Sequence, residues 1–306
     1  MRPYKECIFL LFERNPMEKR KKQMNLFYIP AIILMAVFVA YPFTEAVRIS
    51  FVRWNGYSQK QVYIGIDNYL RMFHDPNFYR AFVNTLIYGF GSAFLQNFFA
   101  LLFAVFLNSK FRGHSLVRTV IYLPVMISGL IMGYVISYFV QYRGGVFNEI
   151  LTFFGQQPID YMADGTRGVL IILLTNSWQY VGISMIIYLA GLQNIPAVYY
   201  EAASIDGATG TERFTKITLP LIVPAMATAV VQNIIGSMKL YDVIISLSQG
   251  GPGFSTHSLS TYISNQYFKA QNAGYSASIG IFTFLFILII SIWITRYFTQ
   301  KEVDMS

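Results

Sequence analysis

Charge is what this sequence has least of: only 12% of its residues are Asp, Glu, Lys or Arg, against about 25% in an ordinary soluble domain. So few ionised side chains cannot cover a water-facing globule of this size, which excludes a soluble fold. Cysteine is nearly absent as well. The single one, Cys7, supports neither an internal disulfide nor a thiolate metal framework. The three histidines, His74, His114 and His257, fall in separate loops assigned to opposite faces of a bilayer, so neither a zinc site nor a nucleophile–base pair can be assembled from them. No Gly-Lys dipeptide occurs anywhere. That removes the phosphate-binding loop G-x-x-x-x-G-K-[S/T], whose lysine and backbone amides hold ATP in many ATPases.

What is present is apolar: 55% of the residues are hydrophobic and 17% aromatic. Six runs, at 26–47, 83–107, 117–140, 168–192, 217–240 and 277–298, are each long enough to cross about 30 Å of hydrocarbon. The first follows Lys19-Arg20-Lys21-Lys22, as a secretory signal would. It extends through Tyr41 and Phe43 to Val47, beyond the signal core of about 7–15 residues, and shows no small-x-small cleavage site, so it is expected to remain as a helix. An even number of spans puts both termini on one side. The basic cluster at 2–22, with Lys110, Arg112, Arg118, Arg213, Lys216 and Lys301 in alternate loops, predicts that this side is the cytoplasm. Arg53, Lys60, Arg71 and Arg80 run against the trend, but in a longer loop at lower density. The positive-inside bias accounts for the net charge of +8; a nucleic-acid partner, which would need a basic patch on a soluble fold, is not expected.

The central portions of the six runs contain no ionisable side chain. Proton relays, ion sites and voltage sensors are built from such groups, so an ion-coupled carrier lacks its machinery and an intramembrane enzyme lacks convergent catalytic groups. Glu45, Arg48, Lys239 and Asp242 lie near span ends, where interfacial anchoring explains them. Neutral polar residues are the candidates for a substrate path. Asn176, Gln179 and Tyr180 fall at i, i+3 and i+4 on the fourth run, and Asn233 and Ser237 are i, i+4 neighbours on the fifth, with Gln232 and Lys239 nearby. Amides and hydroxyls match the donor and acceptor roles of a sugar's hydroxyls, and Trp178 or Tyr180 offers a flat face to its C–H groups. The alternative is interhelical hydrogen bonding, which uses the same residue types. Gln96 and Asn97, on the Phe-rich second run, are read as packing contacts.

The stretch from Asn194 to Pro224 reads as two helices with a sharp corner. Pro196 suits a first helical turn, and Val198 to Ile205 continues it. Gly207 can adopt the left-handed conformation that closes a helix. Thr209 and Glu212 have capping-box spacing for the next helix, which the Glu212–Lys216 pair supports. Such a corner, leading directly into a span, is a lever. Ala202 and Ala203 allow close approach of a partner's backbone, and Glu201 offers it a carboxylate; an ordinary amphipathic loop helix at the headgroups is the alternative.

Glu201-Ala202-Ala203, Gly207 after three residues, then Ile217 and Leu219-Pro220, resemble the EAA motif of permease subunits of binding-protein-dependent ABC importers. Further segments resemble the sugar permease branch of that family: Tyr41-Pro42, Ser50-Phe51, Gly65 to Tyr69, Asn84-Thr85, Arg118 to Pro124, Leu189 to Pro196, Gly250 to Gly253 and Ser255-Thr256. The resemblance implies an all-α, six-span permease of type I importer fold without catalytic activity, in a bacterial cell membrane. Spans two to six would form its core, with the first span wrapping them. The divisions implied are a cytoplasmic segment 1–25, a first span with external loop 26–82, a core 83–298 containing the coupling loop 193–217, and a cytoplasmic tail 299–306. It assigns Glu201, Ala202, Ala203, Asp206 and Gly207 to ATPase coupling. ATP and Mg would be bound by two partner ATPase subunits, and this chain would hold no cofactor or metal. A second homologous permease and an extracytoplasmic sugar-binding protein complete the expected partners, with an oligosaccharide as substrate and a glycerol phosphate, peptide or polyamine as the alternative. The loops around 250–253 and Asp67, Asn68 and Tyr69 are candidate contacts for the binding protein.

Overall fold

The computed structural model describes residues 28–109 and 111–301. Cys7, the Lys19–Lys22 cluster, Lys110 and the segment 1–25 lie outside the described residues. The first helix, α1 (Tyr28–Ser50), is 23 residues long, and its apolar window is wholly unburied by the rest of the chain. A helix so apolar and so uncovered by its own chain suits the hydrocarbon of a membrane, where every backbone group is satisfied within the helix. Its second half meets the rest of the fold, the Phe43 ring lying 4.9 Å from that of Phe284. A short antiparallel ribbon follows, β1 (Val52–Arg53) with β2 (Val62–Tyr63), and then α2 (Asp67–Met72).

Helix α3 (Pro76–Asn108) is the second span. Asp75 caps it by accepting from the Asn77 N–H, and Pro76 stands in the first turn, where its missing N–H costs nothing. Asp75 also accepts from the hydroxyls of Tyr262 and Tyr275, tying the start of this span to that of the last one. The third expected span is not one straight helix. It consists of α4 (His114–Met126) and α5 (Gly129–Val140), meeting at 99°. Pro124 restricts the chain before the break, and Ser128 restarts it by accepting from the Ile131 N–H.

After α6 (Val146–Phe153) comes α7 (Gly165–Gln193), the 29-residue fourth span, and then the short α8 (Ala197–Ile205). The fifth span is also broken, into α9 (Gly210–Leu221) and α10 (Val223–Met238), bent by 66°. Pro220 and Pro224 flank that bend and withhold N–H groups from the helical ladder. A short α11 (Asp242–Leu247) and α12 (Leu259–Ser264) precede the last span, α13 (Ala273–Thr299). Four straight helices therefore match expected spans, and the third and fifth are bent pairs rather than the continuous runs predicted.

The centre is built from α3, α7 and α10, where small residues let backbones approach. Ala100 and Ala104 of α3 are fully buried against Met185 and Tyr188 of α7. A Cβ on Gly191 would come within 2.7 Å of Ala225, and one on Gly182 within 2.9 Å of the α4 backbone. Close packing of this kind replaces the hydrophobic drive that lipid does not supply.

The end of the bundle remote from α8 is sewn together by side chain to backbone bonds. Asn68 donates to the carbonyls of Ser50 and Val52, and Tyr69 to the Ser50 hydroxyl. Asn84 donates to the carbonyls of Ser255 and His257, Tyr88 to that of Thr256, and Thr85 accepts from the Leu259 N–H. The Gly250 to Gly253 turn folds over His257, whose ring occupies the space a Cβ on Gly250 would need. Burial, and secondly Lys269, push the His257 imidazole down to about 4.

Candidate functional site

Two regions carry the functional candidates. The first is a cleft of about 310 Å³ between α7 and α10, completed by α3, α5 and the turn into α11. Asn176 and Tyr180 face it from α7, and Gln232, Asn233, Gly236 and Ser237 from α10. Their positions follow from helical spacing, since residues three and four apart share a face. Four of the five residues singled out from the sequence are thus brought together. Gln179 is not. It is fully buried and donates to the Ile127 carbonyl at 2.8 Å, across the break in the third span. A carbonyl freed by a helix break needs a donor, and Gln179 supplies it.

The cleft residues also bond to one another. Asn176 donates to the Ser237 hydroxyl at 3.0 Å, and Asn233 exchanges bonds with Ser184, giving at 2.8 Å and accepting at 3.0 Å. These bonds hold α7 to α10 and orient the amides at the wall. Gln96, read from the sequence as a packing residue, does both: its Nε2 donates to the Asn176 carbonyl, while it also lines the cleft and leaves its buried Oε1 without a partner. Asn97 is a packing contact, accepting from the Tyr188 hydroxyl and donating to the Ala93 carbonyl.

Lys239, already noted beside the Asn233–Ser237 pair, and Asp242 border this cleft; sequence reasoning reads Asp242 only as an interfacial anchor. The chain does not leave the membrane region directly after α10 but folds back as α11 against α5. Gly129 and Gly133 make that possible: a Cβ on the first would stand 3.0 Å from Asp242 Cβ, and one on the second 1.8 Å from Ser246 Oγ. The signal was the Gly-x-x-x-Gly spacing at 129 and 133 opposite a short polar-started helix. The one lysine and one aspartate cancel in formal charge. The rest of the polar wall is amide, hydroxyl and phenol, chemistry suited to an uncharged polyhydroxyl ligand. Among the described residues no group of three or more His, Cys, Asp or Glu side chains could hold a metal.

The second region is the corner between α8 and α9. Gly207 has φ +75°, the Ala208 N–H bonds to the Ala203 carbonyl at 2.9 Å, and the Gly207 N–H bonds to the Ser204 carbonyl at 3.2 Å. This is the full two-bond closure of a helix C-terminus by a left-handed residue. Pro196 is the cap rather than the first helical residue, with ψ 135°, which agrees with the expected start to within one position. Thr209 and Glu212 form the reciprocal capping box, and Lys216 reaches Glu212 at 3.2 Å.

No residue of α8 is buried. Glu201, Ala202, Asp206 and Gly207 are exposed and Ala203 is half-buried. Val198, Ala202 and Ile205, at i, i+4 and i+7, form an exposed apolar stripe, Ile205 being 87% exposed. A bonded pair, the Tyr200 and Thr218 hydroxyls at 2.9 Å, and an Arg213 bond to Ser204 fasten this helix to the base of α9. The geometry is a stiff projection attached to one half of a bent span. The exposed Val198 and Ile205 were the residues missed from sequence, although their spacing marked them.

A family model described as a binding-protein-dependent transport system inner membrane component matches residues 96–302. The lactose transport system permease protein LacF of Rhizobium radiobacter is 33% identical over 297 residues, covering 93% of this chain and 96% of that one. The trehalose/maltose transport system permease protein MalF of Thermococcus litoralis is 31% identical over 267 residues, 87% of this chain and 90% of that one. Among solved structures, one chain of a bacterial alginate ABC transporter, in complex with an alginate pentasaccharide-bound periplasmic protein, superposes with a TM-score of 0.79 at 27% identity, covering 90% of this chain and 93% of that chain. The matched segment takes in both the cleft and the α8–α9 corner, and the chain belongs to the family of inner membrane components of binding-protein-dependent transport systems, with the fold of a type I ABC importer permease.

Proposed function

We propose that this chain is a non-catalytic permease subunit that passes a sugar, in the form of an oligosaccharide, through a bacterial cell membrane with both termini in the cytoplasm. It pairs with a second homologous permease, and two ATPase subunits bind the ATP and Mg. An extracytoplasmic binding protein delivers the sugar to the end of the bundle where Asn68, Asn84 and Gly250 to Gly253 lie. One observation carries the reading: a projecting, unburied α8 is joined by hydrogen bonds to a bent span whose other half forms the wall of a polar cleft of zero net formal charge.

In this mechanism Glu201, Ala202, Ala203, Asp206 and Gly207, with Val198 and Ile205, seat α8 in a groove of the ATPase. Closing of the ATPase pair on ATP displaces α8, and the Tyr200–Thr218 and Arg213–Ser204 bonds carry that displacement to α9. The bend at Ile222 lets α9 and α10 move as separate bodies, so Asn233 and Ser237 shift relative to Asn176 and Tyr180. The sugar and the binding protein change the balance of inward- and outward-facing states only through unequal affinity for the two. Support for a sugar comes from the neutral donors and acceptors of the cleft and from the carbohydrate named for each relative above.

The test is reconstitution of the complex that co-purifies with this chain, with its binding protein and a panel of neutral oligosaccharides, an acidic oligosaccharide, glycerol phosphate, a short peptide and a polyamine. A neutral oligosaccharide is expected to stimulate ATP hydrolysis and to accumulate in the lumen. Stimulation by the peptide or polyamine alone would replace the sugar assignment.

A further inference from the structure

Helix α6 (Val146–Phe153) leaves most of its apolar face uncovered by the rest of the chain. At 100° per residue, Val146, Phe147, Ile150, Leu151, Phe153 and the following Phe154 fall on one face, and Asn148, Glu149 and Thr152 on the other. In a water-bathed loop the apolar face would turn toward the protein. Here only Asn148, with the half-buried Leu151 beside it, turns toward the protein, while Glu149 and Thr152 are exposed. Asn148 is the one buried residue of the helix, 2% exposed, and its side chain holds four backbone bonds: Nδ2 to the carbonyls of Gln141, Tyr142 and Ile159, and Oδ1 from the Ile159 N–H. The apolar face is left outside, with Ile150 50%, Phe153 84% and Phe154 74% exposed.

The patch is continuous with the exposed apolar side of a membrane-crossing segment. Phe139, on the exposed apolar side of α5 with Val135 and Tyr138, has its ring 5.8 Å from that of Phe147. Gly145 makes the tight turn between the two helices, since a Cβ there would fall 2.1 Å from the Gln141 carbonyl oxygen. The helix therefore folds back beside the end of a membrane-crossing segment instead of projecting from it. The Tyr161 ring lies 6.2 Å from that of Phe147, and tyrosine is a residue type that gathers at headgroup depth. It precedes α7 and lies at the end of that span remote from α8.

We infer that α6 is an interfacial helix whose Ile150–Phe153–Phe154 face is immersed in the acyl region of the leaflet opposite α8, fixing the depth of the outer end of α5. Its occupant is lipid: the face is wholly apolar and aromatic, it continues the exposed apolar side of the membrane-crossing α5, and the buried polar residue of the helix, Asn148, points inward. Helices of this pattern lie in the interface plane with the apolar face about 5–10 Å into the boundary.

The experiment uses the full chain with the subunits that co-purify with it, in a nanodisc of phosphatidylcholine and phosphatidylglycerol. In a Cys7→Ser background, Glu149, Ile150, Phe153, Phe154 and Gln156 are changed singly to Cys and spin-labelled. Collision rates with oxygen, which concentrates in acyl chains, and with a water-soluble nickel chelate are compared. The ratio of oxygen to nickel collisions is expected to be several-fold higher at 150, 153 and 154 than at 149 and 156. Equal, nickel-dominated values at all five positions would overturn the inference by placing the face in water. Labels at 150 and 153 shielded from both reagents would overturn it in favour of a protein partner. Quenching of a fluorophore at 153 by brominated acyl chains supplies a second readout without a nitroxide.

Discussion

Replacing Gly207 by Val tests the α8–α9 corner through its backbone alone. The residue sits at φ +75°, and nothing lies within 4 Å of the position a Cβ would take. A larger side chain therefore meets no clash inside this chain. The cost is conformational: an L-residue in the left-handed region loses about 1–2 kcal/mol, and a β-branched one stands at the upper end. With about 2 kcal/mol removed, the ratio of closed to open corner falls roughly 30-fold. Both closing bonds, Ala208 to Ala203 and Gly207 to Ser204, weaken together. Membrane insertion should be unchanged, retention of the ATPase subunits through purification should drop, and uptake into proteoliposomes should fall by about an order of magnitude. Asn tolerates the left-handed region, so Gly207→Asn is expected to retain most uptake. Equal loss in the Val and Asn variants would mean that the surface, not the backbone, matters at 207; full uptake in Gly207→Val would refute the lever.

The cleft and the far end of the bundle give two further tests. Asn233→Leu removes the reciprocal pair with Ser184 and should lower thermal stability only modestly, by about 1 kcal/mol. Uptake should fall by far more than that change explains, and a collapse of assembly instead would assign Asn233 to helix joining alone. His257 is neutral in the fold because burial, with Lys269 second, lowers it from 6.5 to about 4. The unfolded chain therefore takes up the proton first. The stability this ring contributes is complete above about pH 6.5 and is lost as pH falls toward 4, up to about 3 kcal/mol. Detergent melts between pH 7.5 and 5 should show that slope, and His257→Gln should flatten it; a slope unchanged by the substitution would contradict the burial argument.

Local chemistry was legible in the sequence, and the bends were legible only in part. The Gly207 closure and the Thr209–Glu212 box involve residues within a few positions of each other, so spacing alone defined them. The six apolar runs were legible because length and polarity are properties of a segment, and the structure forms four of them as continuous helices and two as bent pairs. The breaks at 127–128 and 222 were not anticipated, although Pro124, Pro220 and Pro224 marked their neighbourhood, since a proline limits the backbone without fixing an angle. Which amides face the cleft depends on partners far along the chain: Gln179 turns away because the Ile127 carbonyl needs a donor, and Asp242 faces inward because Gly129 and Gly133 admit α11. The Asn68, Asn84 and Thr85 bonds explain the family-like segments around them, again through partners 16–174 positions away.

The most direct measurement of the central claim is the sidedness and occupancy of α8. In a Cys7→Ser background, Ala202→Cys would be exposed to a membrane-impermeant maleimide in right-side-out and inside-out vesicles, with and without the co-purifying ATPase. The account predicts labelling only in inside-out vesicles and protection when the ATPase is bound. Labelling from the outer face, or labelling indifferent to the ATPase, would contradict it.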